Sequence, residues 1–111
     1  MNELNTIRPT FFSIEAEQQL LGAILLNNDA FVRVGDFLSD EHFYDPVHAR
    51  IYRICRDRIG KGHLVSPVTL KLTLEGDDGL KELGGPAYLV RMAGAAISAS
   101  AVVEYAKTIV E

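Results

Sequence analysis

Apolar residues recur along this chain mostly at three- and four-residue intervals, which is the period of a helix with one buried face. Between residues 13 and 26, SIEAEQQLLGAILL sets Ile14, Leu21, Ile24 and Leu25 on one side, with Leu20 and Ala16 widening it. Ser13 is a good N-cap, and Glu15 and Glu17 suit the positive end of a helix dipole, so a first helix is predicted from about Ile14 to Leu26. Gly22 costs roughly 1 kcal/mol against alanine inside a helix. Its presence predicts a second helix crossing closely at that point. Residues 1–12, with Pro9 as a breaker, are expected to form a flexible lead-in.

After a turn at Asn27-Asn28-Asp29, a new N-cap site, the residues Ala30, Phe31, Val34, Phe37 and Leu38 predict a second helix to about Leu38. Ser39–Phe43 resembles a short capped turn. Asp45-Pro46 then opens a third helix, with Asp at the cap and Pro at the first helical position. Val47, Ile51, Ile54 and Cys55 form its inner stripe, extended by Ile59 and closed by Gly60 and Gly62. SPVTLKLTLE alternates like a strand, but no partner strand exists to satisfy its backbone. Ser66-Pro67 is a helix start, so a short helix is predicted. A turn at Gly76–Gly79 leads to the brief helical segment LKEL. Gly84-Gly85 ends it, and Pro86 opens a helix carrying Tyr88, Leu89, Val90, Met92, Ala93, Ala96 and Ile97. Ser98 or Ser100 caps a last helix with Val102, Val103, Ala106, Ile109 and Val110. Its pattern is still running at Val110, as expected of an element cut short within a longer protein. The prediction is an all-α globule of about six helices.

The 111 residues, 48% hydrophobic and 23% charged, suit one folded domain. No apolar run is long enough to span a bilayer, and no signal-peptide pattern opens the chain. Cys55 is the sole cysteine. On an apolar helix face it is a small buried hydrophobe, and a reducing cytoplasm is expected.

The net charge of −4 is uneven: residues 50–63 hold five basic groups and one acid. Arg50, Arg53, Arg56, Arg58 and Lys61 form a solvated face, or a patch for an acidic partner or phosphates. Without interleaved aromatics it is a weak nucleic-acid signal. Gly60-Lys61-Gly62 lacks the spacing and the Ser/Thr of a phosphate loop and reads as a helix end. His42, Asp45 and His48 form an H-x-x-D-x-x-H array that could hold a metal in a small hydrolase, but Asp45 is already a cap and further ligands are scarce. No nucleophile and base are fixed as a dyad. Val102, Tyr105, Ala106, Ile109 and Val110 on the last helix are either core or the root of a helix–helix seam. From the residues alone, this is a small cytoplasmic interaction module without catalytic, cofactor or metal residues.

Four stretches together carry a resemblance: SIEAEQQLLGAILLN, DEHFYDPVHARIY, LKELGGPAYL and SASAVVEYAKTIVE. Their order and spacing resemble the N-terminal domain of the bacterial replicative DNA helicase, the DnaB type, over residues 7–111. The resemblance implies a helical globule at 13–111 followed by a long helical hairpin, of which 101–111 would be the truncated start. It implies a non-catalytic scaffold whose hairpins pair into dimers, three of which form a hexameric collar. It also implies primase as a partner, with a helicase loader besides. ATP, magnesium and single-stranded DNA would belong to a motor domain absent from this chain. Glu15, Ala16, Glu17, Leu21 and Gly22 match the first motif, Phe43, Tyr44, His48 and Ile51 the second, and Gly84, Gly85, Ala87, Tyr88 and Leu89 the third; nearly all read as structural. The interaction residues expected are Val102, Tyr105, Ala106, Ile109 and Val110, with Arg50 and Arg53 second. Lacking the rest of the hairpin, the chain alone is expected to be a monomer or a weak dimer. The helicase-binding domain of primase, which has a related helical fold, is the rival of the same class.

Overall fold

Helix-capping and glycine signals place most of the elements. A computed structural model describes residues 2–96 and 98–110, with the side chains of 2–13 and of Ala99 outside that description. The α-helices are α1 (Asn2–Leu26), α2 (Asp29–Val34), α3 (Pro46–Gly60), α4 (Pro67–Thr73), α5 (Asp78–Leu83), α6 (Pro86–Ala95) and α7 (Val102–Val110). Two 3₁₀ turns lie at Asp40–His42 and Ala99–Ala101. There is no strand among the described residues. The all-α prediction is correct.

The helix starts obey local chemistry. Asp45 Oδ1 accepts from Val47 N at 2.8 Å and His48 N at 3.3 Å, and Pro46 follows as the first helical residue. Ser66 and Thr69 form a reciprocal capping box at α4. Asp77 caps α5 by accepting from Leu80 N at 3.0 Å. Gly84 ends α5 at φ +119°, a left-handed position that favours glycine.

The alternation in α4 resolves on the helix. Leu70 and Leu74 are buried while Val68 and Leu72 face outward, so one strand-like pattern divides into two helical faces.

Three boundaries differ from the sequence prediction. α1 is bounded at Asn2, upstream of the predicted Ile14, because a cap residue permits a helix start without compelling one. Ser13 and the expected lead-in fall among the side chains outside the description. α2 stops at Val34 rather than Leu38, as Gly35 and the turn behind it free the Leu38 carbonyl for the Tyr52 hydroxyl at 2.7 Å. Leu38 remains buried. Asn28 does not cap α2 with its side chain. Its amide instead donates to the Val65 carbonyl at 2.8 Å and accepts from Val65 N at 2.9 Å, holding the α3–α4 connection against the end of α1. α6 ends at Ala95, with Ala96 as its extended C-cap rather than a helical residue, and Ile97 lies outside the described residues.

α1 is the hub, packing against α6 and α7 most extensively and against α2 and α3 as well. Its Leu20, Leu21 and Ile24 meet Ile51 and Tyr52 of α3, Leu89 and Met92 of α6, and Val102 and Ala106 of α7 in one continuous core. Tyr52 lies between Phe31 and Phe43, with ring centroids 5.7 and 5.0 Å away, and burial pushes its hydroxyl up to about 12. Cys55 is fully buried and its thiol is likewise pushed up to about 12, which keeps it a hydrophobe rather than a nucleophile.

Candidate functional site

The three motifs meet in one buried polar cluster. Glu17 of α1 is 0% exposed and His48 of α3 is 1% exposed, so an ionisable pair sits where an unpaired charge would be prohibitively costly. Glu17 Oε1 lies 2.7 Å from His48 Nδ1, and Oε2 accepts from Tyr44 N at 2.6 Å. His48 Nε2 lies 2.7 Å from the Tyr88 hydroxyl of α6, which also accepts from Gln18 Nε2 at 3.1 Å. The His48 and Tyr88 rings stack with an interplanar angle of 8°. Every donor finds an acceptor if Gln18 donates to Tyr88, Tyr88 to His48 Nε2, and the His48 Nδ1 proton to Glu17.

This corrects the reading of Glu17 as a first-turn acid. It lies in the interior of α1 and carries out a buried task. Glu17, Leu21 and Ile24 follow i, i+4, i+7 spacing, and His48, Ile51 and Cys55 follow i, i+3, i+7. An acid or histidine in phase with a buried stripe was the signal available in the sequence.

The carboxylate–imidazole pair has the geometry of an acid/base dyad, but among the described residues both members are buried. A shallow cleft of about 160 Å³, lined by Gln18, Gln19, Tyr88, Arg91, Met92 and Ala95, reaches only the outer end of the cluster. Nor do His42, Asp45 and His48 converge: His42 Nδ1 accepts from Ser39 N at 2.9 Å, Asp45 caps α3, and His48 is held by Glu17 and Tyr88. Among the described residues, no group of three His, Cys, Asp or Glu side chains could hold a metal ion. Gly60-Lys61-Gly62 forms the end of α3, with Gly62 at φ +82° and His63 N donating to the Arg58 carbonyl at 2.9 Å.

The expected interaction residues divide into two groups. On α7, Val102, Ala106 and Ile109 are buried within the globule, Tyr105 is half-buried and Val110 is 39% exposed. Three of these five side chains thus belong to the core of the globule.

The arginine face is also engaged. Arg50 grips Asp77 through Nε at 2.9 Å and Nη2 at 2.8 Å, clamping α3 to the start of α5. Arg53 and Arg56 converge on Asp40 at 3.1 and 3.0 Å. Burial pushes the Asp40 carboxyl up, but the hydrogen bonds from Arg56, from its own backbone and from Arg53 outweigh it and hold the group below its ordinary value. Asp77 falls further, to about 2, because Arg50 and the Leu80 N–H both hold its ionised form.

A pH prediction follows with a definite sign. Asp77 has a folded value of about 2 against an ordinary 3.8, so its stabilisation is present above about pH 4 and is lost as pH falls through about 2. In Arg50→Ala, that part of the acid slope should largely vanish, with a loss of about 1 kcal/mol at neutral pH once solvent screening of the partly exposed pair is allowed for. Urea unfolding at pH 6, 4 and 2.5 measures both. An unchanged acid slope in the variant would refute the assignment.

Comparison with known proteins identifies the family and the fold. The family model of the DnaB-like helicase N-terminal domain matches residues 10–111. The replicative DNA helicase DnaB of Geobacillus stearothermophilus is 36% identical over 111 residues, covering 100% of this chain and 24% of that protein. That of Rickettsia felis is 37% identical over 97 residues, covering 87% of this chain and 20% of that protein. The crystal structure of the N-terminal domain of DnaB helicase from Mycobacterium tuberculosis matches with a TM-score of 0.78 at 31% identity, covering 87% of this chain and 70% of that one. The chain spans about a fifth to a quarter of the length of these helicases. With its three motifs joined at Glu17, His48 and Tyr88, the chain belongs to the DnaB-like helicase N-terminal domain family.

Proposed function

We propose that this chain is a non-catalytic collar domain of a replicative DNA helicase, supporting assembly of the hexamer as a trimer of dimers and recruiting primase. The observation that carries the reading is the use of its polar chemistry. The Glu17–His48 carboxylate–imidazole pair is buried between α1, α3 and α6, where its hydrogen bonds join the three helices. The arginines lock the third helix to its neighbours in the same way. Unwinding of duplex DNA, with ATP, magnesium and single-stranded DNA, is assigned to the remainder of the parent protein, because this chain spans only about a fifth to a quarter of the helicases it resembles. The parent would act in the cytoplasm, and no helix among the described residues is long and apolar enough to cross a membrane. The rival reading as the helicase-binding domain of primase is disfavoured by the family match and the helicase relatives.

Calorimetric titration of the C-terminal domain of primase tests the recruiting role. It would be run against this chain and against one extended by about 50 residues of the parent, a rough length for two helices at 1.5 Å per residue. Binding at least about tenfold tighter by the longer chain is expected, placing the docking site on the hairpin with this globule as its support. Equal binding would place it on these residues. Binding by neither would overturn the recruiting role.

A further inference from the structure

We propose that the junction between the C-terminal end of α3 and the end of α1 is a docking site for an acidic peptide segment of another protein. A carboxylate of that segment pairs with Arg58 and Lys61, and an apolar side chain beside it rests on Leu26 and Leu64. The basic stretch at 50–63 is only partly used within the fold. Arg50 is held by Asp77, and Arg53 and Arg56 by Asp40. Arg58 and Lys61 make no ion pair among the described residues: Asp57 lies beside Arg56 at 3.8 Å, and Asp29 pairs with neither. Arg58 continues the buried stripe of Ile51 and Cys55 at i, i+4, i+7, so it is partly buried, and its buried Nε has no hydrogen-bond partner. The dipole of α3 favours cations at this end but accepts no hydrogen bond from them. Asp77 takes the Nε–Nη2 edge of Arg50. A carboxylate on the same edge of Arg58 would supply the missing acceptor once the side chain turns outward to meet it.

The surroundings select the occupant. His63 N donates to the Arg58 carbonyl at 2.9 Å, folding the chain back so that Lys61, His63 and Leu64 stand exposed around the end of α3. Asn28 holds Val65 by two hydrogen bonds, which brings this segment beside the end of α1. There Leu26 is 65% and Leu64 67% exposed. A net charge of −4 overall against +4 over residues 50–63 leaves −8 elsewhere. The acidic remainder therefore repels an acidic segment that this end attracts. No Phe, Tyr or Trp stands among Leu26, Arg58, Lys61, His63 and Leu64 to stack a base, which favours a peptide over single-stranded nucleic acid.

Fluorescence anisotropy tests this, with the 111-residue chain titrated into a labelled, end-capped peptide of about ten residues of glutamate, leucine and serine. At about 50 mM salt a Kd of about 10–100 μM is expected, weakening at least about fivefold at about 300 mM. Lys61→Glu and Leu64→Ser, both at exposed positions, should each weaken binding at least about fivefold without changing the thermal melt, and Lys81→Gln on α5 should change nothing. Glutamine in place of the peptide's glutamates, or serine in place of its leucines, should weaken binding in the same way. No binding by the chain at about 1 mM would overturn the proposal. Binding that folded Lys61→Glu and Leu64→Ser leave intact would overturn it as well. Tighter binding of an oligothymidylate, unaffected by Leu64→Ser, would overturn it and assign the junction to phosphates.

Discussion

Replacing Gly22 by alanine is expected to destabilise the domain by about 2 kcal/mol, although alanine is the better helix former. Propensity alone favours the substitution by about 1 kcal/mol. The opposing term is steric: a Cβ at Gly22 would collide with the Met92 carbonyl carbon and oxygen, and it would lie 3.3 Å from the Ala96 Cβ. These carbonyl atoms are backbone of α6, so no side chain can rotate away. The whole helix must move, and it carries Tyr88, Leu89 and Met92 into the core. Overpacking of this kind costs about 1–3 kcal/mol and more where nothing yields. The melting temperature should fall by roughly 10 °C. Gly94 supplies the control. It is exposed near the end of α6 and an added Cβ meets nothing within 4 Å, so Gly94→Ala should be neutral or stabilising by up to about 1 kcal/mol. Urea midpoints with unchanged slopes would measure both. Equal effects at the two positions would show that no close crossing exists at Gly22.

That crossing was legible because a glycine amid leucines has a cost that only close approach repays. The helix starts at Asp45 and Ser66 were legible for a similar reason: each places a short polar side chain where free N–H groups need an acceptor. What the sequence concealed depends on which tertiary partner claims a group. Asn28 looked like a cap and instead pairs with Val65, 37 residues away. The α2 pattern ran on to Leu38, but burial of Leu38 needs no helix once Tyr52 satisfies its carbonyl. Arg50 and Arg53 read as a free basic face because their acids, Asp77 and Asp40, lie 27 and 13 residues distant. The apolar stripe of α7 left core and seam open, and in the globule Val102, Ala106 and Ile109 lie in the core. The family resemblance supplied the three motifs, while only the fold showed that they meet at one imidazole.

Removing either member of the hydrogen-bonded Glu17–His48 pair should cost about 3 kcal/mol, a large share of the roughly 5–15 kcal/mol that holds a domain of this kind together. Glu17→Ala strands the Tyr44 N–H and His48 Nδ1 without their acceptor in a dry interior. His48→Ala strands Glu17 on one side and Tyr88 on the other, and it opens a cavity between α1 and α6. Tyr88→Phe is the milder probe. It keeps the ring stacked on His48, removes only the hydroxyl, and should cost about 1–2 kcal/mol. If the three side chains act as a unit, their losses will not add. Glu17→Ala combined with Tyr88→Phe should cost less than the sum of the two by about 1 kcal/mol, since either change alone already breaks the proton chain through His48. Urea unfolding of the four proteins gives that coupling, and strict additivity would mean that Glu17 and Tyr88 brace their helices independently. The ring itself offers a second reading: with its proton on Nδ1, His48 should show the less common neutral tautomer by nitrogen NMR, and a proton on Nε2 would reverse the direction of the chain. Coupling through one buried imidazole would explain why motifs on three separate helices occur together. Each supplies one bond to a junction that is weakened when any of them is missing, and that junction adds to the apolar core in holding α1, α3 and α6 in their relative positions.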